Sequence, residues 1–266
     1  MYPMKKVSLL LLAFVLISVA CNKDEEEKEE NTTTPATLNP TSTQKGFAIE
    51  YTATWCSPCG NWGAPLIHKY SVEAPKGVVI SIHSSDTMCN AFLESSFEAD
   101  RPVDTGIPDF WVGDINTISD DAMKNLLATA NADAGVDVLY SKKENSMNVQ
   151  VAIKFFSPDT GDYYLSVLLL EDGIDGSIGS GAFEQSDPPN PATYKHDFVL
   201  RKSVISGEAY GELIASNPVD GKYIRKDYVL SFESSWKNIY PVAIVWKKVV
   251  GAKPEYKYIN SIKRKN

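Results

Sequence analysis

Two cysteines separated by two residues, Cys56 and Cys59, have the clearest chemical potential in this sequence of 266 residues. Residues 46–53 predict a buried strand before them, and the residues after them predict a helix that extends to about residue 72. Unpaired N–H groups and the helix dipole stabilise a thiolate at a helix N-terminus, so we expect Cys56 to be a nucleophile in thiol–disulfide exchange. Cys59, one turn further on, is expected to be shielded and to resolve the mixed disulfide.

Such a pair has two other uses, a zinc site and a purely structural disulfide. A four-cysteine zinc site requires a second Cys-x-x-Cys pair, which the sequence lacks, and neither Cys89 nor the three histidines supply the usual spacing. We therefore expect no metal and no cofactor. Cys89 is expected to be a small buried apolar side chain, and His68 and His83 to be isolated and structurally satisfied. The structural disulfide remains an open alternative.

The segment Trp55–Cys59 has the sequence W-C-S-P-C, which resembles the W-C-x-P-C motif of thioredoxin-like proteins. Three further features agree with this resemblance. Pro65 interrupts the helix one residue later than the kinking proline of that family. Glu50 precedes the first cysteine by six residues, where the family keeps a buried carboxylate. Ile107-Pro108 resembles the cis-proline that faces the motif.

The resemblance implies a role for each of these residues. Cys56 and Cys59 are implied to be the catalytic pair. Glu50 is implied to be a buried carboxyl group with a raised pKa that accepts the proton of Cys59. A cis X–Pro bond bends the backbone and exposes peptide groups with which a bound substrate strand can pair. The residues implied to contact the substrate, a protein or peptide thiol or disulfide, are Trp55, Ile107 and Pro108.

Elements suited to position these residues follow in order along the first half of the chain. Residues 78–82 predict a second buried strand, and residues 86–101 contain a helical segment. Ser119 is a good N-cap for a further helix, with two aspartates in its first turn. Together with the resemblance, this order predicts a thioredoxin-like domain over residues 45–134.

The second half of the chain changes from helical to alternating periodicity. Apolar residues occupy every second position from 147 to 155, and the polar turn cluster 157–162 predicts a hairpin with a strand at 163–171. Further strands are predicted at 198–205, 228–232, 242–246 and 256–259. The predicted fold class is therefore α/β plus all-β, a thioredoxin-like domain followed by a β-sandwich domain over residues 135–266. A loop over 173–191 is long enough to be functional or mobile.

One segment of the second half resembles a second family. Residues 194–201 are similar to the Y-x-H-N-H-V-L-R segment of Bacteroidetes outer-membrane lipoproteins of the Omp28-related family. Asp197 and Phe198 depart from that pattern, which puts any site that needs the second histidine in doubt. The family joins a signal, a thioredoxin-like domain and a C-terminal β-domain, as this chain is predicted to do. We expect His196 and Arg201 to make contacts between the domains or at a strand edge.

The N-terminus predicts an export signal and a lipid anchor. Two lysines precede an apolar run over residues 7–20, which is too short to span a membrane and is typical of a signal peptide over residues 1–20. The run ends in Ser-Val-Ala-Cys, which resembles a lipobox, so Cys21 is expected to be acylated and to bind the membrane. Residues 21–44, acidic and then rich in Thr and Pro, predict a disordered tether. The acidic run also resembles the surface-export signal of Bacteroidetes lipoproteins.

The sequence thus favours a lipid-anchored thiol–disulfide oxidoreductase of the cell envelope, an outer-membrane lipoprotein exposed at the surface. The alternative is a surface binding or adhesion lipoprotein in which the thioredoxin fold is a non-catalytic scaffold and the disulfide is inert. The net charge of −8 argues against nucleic acid as a partner, because such binding requires clustered positive charge.

Overall fold

The first half of the chain alternates strands and helices. The computed structural model describes residues 37–104, 106–129, 131–175 and 194–264. Its first elements are β1 (Phe47–Thr52), a π-helical turn (Cys59–Gly63), α1 (Ala64–Glu73), β2 (Val78–His83) and α2 (Ala91–Asp100). They are followed by β3 (Asp109–Val112), β4 (Ile115–Asn116) and α3 (Ala122–Leu127). Both β1 and β2 are buried along their whole length, as the continuous apolar runs predicted.

The second half consists of strands throughout its described part. These are β5 (Ala134–Lys143), β6 (Ser146–Phe155), β7 (Asp162–Asp172), β8 (Ile174–Asp175), β9 (Lys195–His196), β10 (Val199–Ser203), β11 (Glu212–Ser216), β12 (Tyr223–Ser231), β13 (Asn238–Lys248) and β14 (Tyr256–Lys263). The mixed α/β half and the β-rich half follow the predicted order. The strands β5 and β11 and the two-residue strands β8 and β9 are additional to the sequence prediction.

One sheet runs through both halves. Its nine strands lie in the order β14-β13-β7-β10-β2-β1-β3-β4, with β11 also paired to β7. The junction is the parallel pairing of β10 with β2, where Val199 lies beside Ser81 and the Ser81 N–H donates to the carbonyl of Phe198 at 2.9 Å. The predicted boundary at residues 134/135 therefore marks a change in secondary structure and does not interrupt the sheet.

Three apolar cores cover the two faces of this sheet. One face of β1, β2, β7 and β13 packs against α2 and a group of aromatic side chains that includes Trp246. On the opposite face, α1 and α3 cover β1, β2 and β3. Further along, the separate sheet β12-β6-β5 covers β7, β13 and β14. The β-rich half is therefore two-layered, but one of its layers is the sheet that it shares with the first half.

The predicted tether is too long at its C-terminal end. The N–H of Asn39 donates to Asp137 Oδ2 at 2.8 Å, and the N–H of Ala132 donates to the carbonyl of Ser42 at 2.8 Å. Asn260 Nδ2 donates to the carbonyl of Thr43 at 3.1 Å. These backbone groups are paired with the folded body, so residues 39–43 belong to it and not to the predicted tether.

Several predicted features lie outside the described residues. They are the signal peptide, the acylated Cys21, the acidic run and most of the 173–191 loop. Within the described ranges, every helix is too short or too polar to cross a membrane.

Candidate functional site

The two cysteines of the W-C-S-P-C segment form a disulfide at the start of the first helical stretch. Cys56 is bonded to Cys59, and the N–H of Cys59 donates to Cys56 Sγ at 3.2 Å. A turn closed by the N–H of Cys56 and the carbonyl of Ala53, at 3.1 Å, brings the chain from β1 into this position. An amide directed at a sulfur near a helix start stabilises a thiolate there when the pair is reduced.

The disulfide itself is largely covered. Cys56 is 4% exposed and Cys59 is 0% exposed, and both belong to a small apolar cluster with Ala53 and Ile107. The exposed surface beside them is aromatic. Trp55 is 47% exposed, its indole N–H donating to the carbonyl of Ser84 at 3.2 Å. A thiolate that attacks the disulfide must therefore approach it at the exposed edge of Cys56, beside Trp55.

The helix after the disulfide begins with a wide π-helical turn. The N–H of Ala64 bonds to the carbonyl of Cys59, five residues back, and α1 follows with Pro65 in its first turn. Proline has no N–H, so it suits the start of an α-helix, where that group has no partner in the helix. A π turn takes up one extra residue, which explains why Pro65 falls one position later than the family pattern.

A cis-proline loop faces the disulfide. The Ile107–Pro108 bond is cis, as the resemblance implied. The carbonyl of Ile107 lies 3.7 Å from Cys56 Sγ. A Cβ placed on Gly63 would come within 3.0 Å of Pro108 Cβ, so proline and helix are in close contact.

The carboxyl group of Glu50 is buried behind this helix. Ser81 donates to Glu50 Oε2 at 3.0 Å, whereas Oε1 has no protein hydrogen-bond partner among the described residues. A Cβ on Gly63 would lie only 2.7 Å from Oε1, so the glycine lets the helix backbone approach the carboxyl group. Burial raises the pKa of Glu50 to about 8, and the Ser81 hydrogen bond opposes this rise only in part. Glu50 can therefore take up or release a proton near neutral pH.

A small cavity of about 10 Å³ adjoins this carboxyl group. The ring of His83 bonds through Nδ1 to Asp86 Oδ2 at 2.7 Å, and both side chains are almost wholly buried. Burial acts to raise the pKa of Asp86, but the bond and charge of His83 and two backbone N–H groups outweigh it and lower the pKa. His83 is structurally satisfied, as predicted, but it is not isolated, because His68 and His196 line the same cavity. The cavity lining consists of Glu50, Thr52, Ala64, Ile67, His68, Ser81, His83, Tyr194, Lys195, His196 and Asp197.

The segment that resembles the outer-membrane lipoproteins forms one wall of the cavity. The ring of His196 lies 5.3 Å from that of His83 and 4.7 Å from that of Tyr194. His196 Nε2 is buried without a protein partner in the described structure. Burial lowers the pKa of His196 to about 3, so its ring is neutral. His196 thus contacts the first half of the chain, as expected, but its place beside Glu50 had no signal in the sequence.

The remaining candidates lie outside this cluster. Arg201 pairs through Nε with Glu171 Oε2 at 3.0 Å and lies 4.8 Å from the ring of Trp236. The thiol of Cys89 donates to Glu94 Oε2 at 3.1 Å, and burial together with this bond raises the pKa of Cys89 to about 11. Cys89 is therefore a protonated thiol at neutral pH. It is only partly buried and bonds a carboxylate, so it differs from the small buried apolar side chain that was expected.

Comparisons with known proteins bear on the fold. No family model matches this sequence, and no curated protein matches it. Among solved structures, the chain is similar to HBP35 of Porphyromonas gingivalis, with a TM-score of 0.64 and 15% sequence identity over 85% of this chain and 76% of that chain. At this identity the likeness shows a shared fold. A domain of the outer membrane lipoprotein Omp28 from Porphyromonas gingivalis matches 50% of this chain and 89% of its own length, at 20% identity and a TM-score of 0.30.

Proposed function

We propose that this chain is a thioredoxin-like thiol–disulfide oxidoreductase of the cell envelope, held to the outer membrane by a lipid on Cys21. The observation that carries the proposal is the placement of the cysteine pair. Cys56 precedes a helix, the cis-proline loop faces it, and the carboxyl group of Glu50 lies behind the helix. The sheet order β2-β1-β3-β4, with α1 and α3 on one face and α2 on the other, supports a thioredoxin-like unit.

The geometry suits a two-step exchange. In the reducing direction, the Cys56 thiolate attacks one sulfur of a substrate disulfide and releases the other as a thiolate. Glu50 then takes the proton of the Cys59 thiol, and the Cys59 sulfur attacks Cys56 and expels the second substrate sulfur. Two electrons pass to the substrate, and the Cys59 proton passes through Glu50 to solvent or to a released thiolate. The reverse sequence oxidises a substrate dithiol.

Trapping of mixed disulfides tests this proposal. Cys59→Ser removes the resolving thiol, so envelope proteins should accumulate as mixed disulfides with Cys56. Cys56→Ser should trap nothing, and Cys89→Ser should leave the wild-type pattern unchanged. In the reduced wild type, alkylation should label Cys56 well before Cys59 and Cys89. If Cys59→Ser traps no envelope protein and Cys56 is not alkylated before the other cysteines, the oxidoreductase proposal is overturned.

The low exposure of the disulfide favours a second candidate, a surface binding or adhesion protein with an inert bond. A buried disulfide reacts slowly because the attacking thiolate must reach the sulfur. In that case the reduction potential of the pair should lie below about −300 mV, the range of structural disulfides. Both candidates share the lipid anchor, so Cys21→Ala should move the protein from the membrane fraction to the soluble fraction in either case.

A further inference from the structure

One small cavity is lined by every histidine of the chain. The sequence contains three histidines, and His68, His83 and His196 all line the cavity beside Glu50. They come from three different elements: α1, the end of β2, and β9. All three histidines, from both halves of the chain, therefore line the same cavity as the carboxyl group of Glu50.

Two polar atoms of this cavity have no protein hydrogen-bond partner in the described part of the chain. They are Glu50 Oε1 and His196 Nε2, on side chains that are 98% and 97% buried, because their exposed fractions are 2% and 3%. An unpaired buried polar atom is costly, on the order of 1–3 kcal/mol, so native structures pair such atoms with protein or with ordered water. A cavity of about 10 Å³ has room for one water molecule.

We propose that this cavity binds one water molecule that bridges Glu50 Oε1 and His196 Nε2, and that the proton of Glu50 is exchanged with solvent through this water. The proposal rests on the proposed function, because Glu50 exchanges this proton with Cys59 during the resolving step. His196 is a positioning residue, since it holds the water and does not touch the cysteines. Its neutral ring serves this purpose, because a neutral imidazole can either accept or donate a hydrogen bond.

The outer wall of the cavity gives the proton an exit. His68 and Asp197 are partly exposed, with His68 Nε2 3.5 Å from Asp197 Oδ2. A proton released by Glu50 therefore passes to the bridging water and then to these side chains or to bulk solvent. The titratable and charged groups that face Glu50, with Asp86 behind His83, are His68, His83, Asp86, Tyr194, Lys195, His196 and Asp197.

The carboxyl resonance of Glu50 in the disulfide form of the full chain tests the bridge. In the wild type, its titration midpoint should lie near pH 8. His196→Phe keeps an aromatic ring but removes the nitrogen that holds the water, so the midpoint should move to higher pH. His196→Gln restores a polar atom and should bring the midpoint back towards the wild-type value. Val245→Ala, in the core between the two β layers, controls for lost stability and should leave the midpoint unchanged.

Exchange kinetics give the second readout. With a dithiol and a disulfide as substrates, His196→Phe should slow the resolving step by roughly tenfold while leaving the first attack by Cys56 unchanged. His196→Gln should recover most of the rate. A midpoint in His196→Phe that matches the wild type would overturn the bridge, and a resolving rate that matches the wild type would overturn the proton route through it. If the His196→Phe variant does not fold, the proposal is tested on the wild type. A long-lived water in the cavity should transfer magnetisation to the ring protons of His196. The absence of this transfer would overturn the proposal.

These measurements separate the two proposals. The titration and the water contact are measured on the oxidised protein and need no exchange activity. If Cys56 shows no exchange activity but the water bridge is detected, only the oxidoreductase function is overturned. If Cys56 is active but the titration midpoint of Glu50 is the same in the wild type and in His196→Phe, only the bridge is overturned.

Discussion

Two buried ionisable groups, Glu50 and Arg101, are accommodated in opposite ways. Arg101 is 0% exposed, and its two terminal nitrogens donate to four oxygens at 2.7–3.1 Å. Glu50 receives one side-chain hydrogen bond, and its Oε1 has no hydrogen-bond partner among the described residues. The four hydrogen bonds of Arg101 fix its position, although its Nε has no partner among the described residues. The buried carboxyl group of Glu50, with a single side-chain hydrogen bond, has a pKa of about 8 and can move a proton.

The Arg101 cluster joins the two halves of the chain. The partners of Arg101 come from both halves: Asp100 and Asp114 from the first, Tyr210 and Tyr256 from the second. The guanidinium also lies 4.9 Å from the ring of Trp246 in β13. The Glu50 cavity is built from both halves too, but there the second half contributes an imidazole whose Nε2 has no protein partner in the described structure. The comparison teaches that the number of hydrogen-bond partners, and not burial alone, distinguishes Arg101 from Glu50.

Removal of the buried arginine should have the largest effect. Arg101→Met leaves Asp100 buried without its partner, so the free energy of unfolding should fall by about 3–5 kcal/mol in urea titration. Arg264→Met is the matched control, because Arg264 makes one partly exposed pair with Asp137 at 3.5 Å and should cost at most about 1 kcal/mol. A loss below about 1 kcal/mol for Arg101→Met would contradict a structural role. An altered titration of Glu50 in the variant would show that the two groups are coupled.

Replacement of the buried carboxyl group should change how stability depends on pH. The pKa of Glu50 is about 8 in the folded protein, against an ordinary value of 4.5. Its stabilising contribution is therefore fully present below pH 4.5 and is lost as pH rises through 8, because the unfolded state releases its proton first. Relative to Glu50→Gln, the wild type should lose up to a few kcal/mol between pH 4 and pH 9. Parallel stability curves for the two proteins would show that the carboxyl group is not buried as described.

A methyl group at the helix–carboxyl contact should have an intermediate effect. Gly63→Ala places a Cβ 2.7 Å from Glu50 Oε1 and 3.0 Å from Pro108 Cβ, so the neighbours must move. We expect a loss of about 1–3 kcal/mol in thermal or urea unfolding, together with slower disulfide exchange. Val72→Ala, on the exposed face of the same helical stretch, should stay within about 0.5 kcal/mol. Equal stability of the two variants would mean that the helix does not pack this closely on Glu50.

Loss of the single hydrogen bond to Glu50 should have the smallest effect. Ser81→Ala removes the donor to Oε2, and that bond lowers the pKa of Glu50. The titration midpoint of the carboxyl resonance should therefore rise above pH 8, with a stability loss of about 1 kcal/mol at acidic pH. Ser203→Ala removes a buried hydroxyl that bonds the carbonyl of Glu208 and serves as the control. A midpoint that falls in Ser81→Ala would contradict the conclusion that the Ser81 hydrogen bond lowers the pKa of Glu50.

Local sequence patterns were sufficient for much of the site. The spacing of the two cysteines and the resemblance that it supports, which covers Glu50 and the Ile107–Pro108 pair, predicted features that the structure contains. The helix start expected at Ser119 was displaced, because Ser119 accepts a bond within a turn and α3 begins at Ala122. Capping signals are local, and here Asp121, two residues after Ser119, takes the N-cap position of α3.

The sequence by itself predicted most of the strands and helices, the cysteine pair and, through the resemblance, the buried carboxyl group, because periodicity, turn residues and short spacings act over a few positions. The tertiary structure alone decided that β10 joins β2, that Arg101 bonds Tyr210, 109 residues away, and that His196 faces Glu50. Such contacts form when distant apolar faces are buried together, and the polar groups carried inward must then find partners. No local pattern encodes which partner a buried group meets, because that depends on the summed burial of the whole chain.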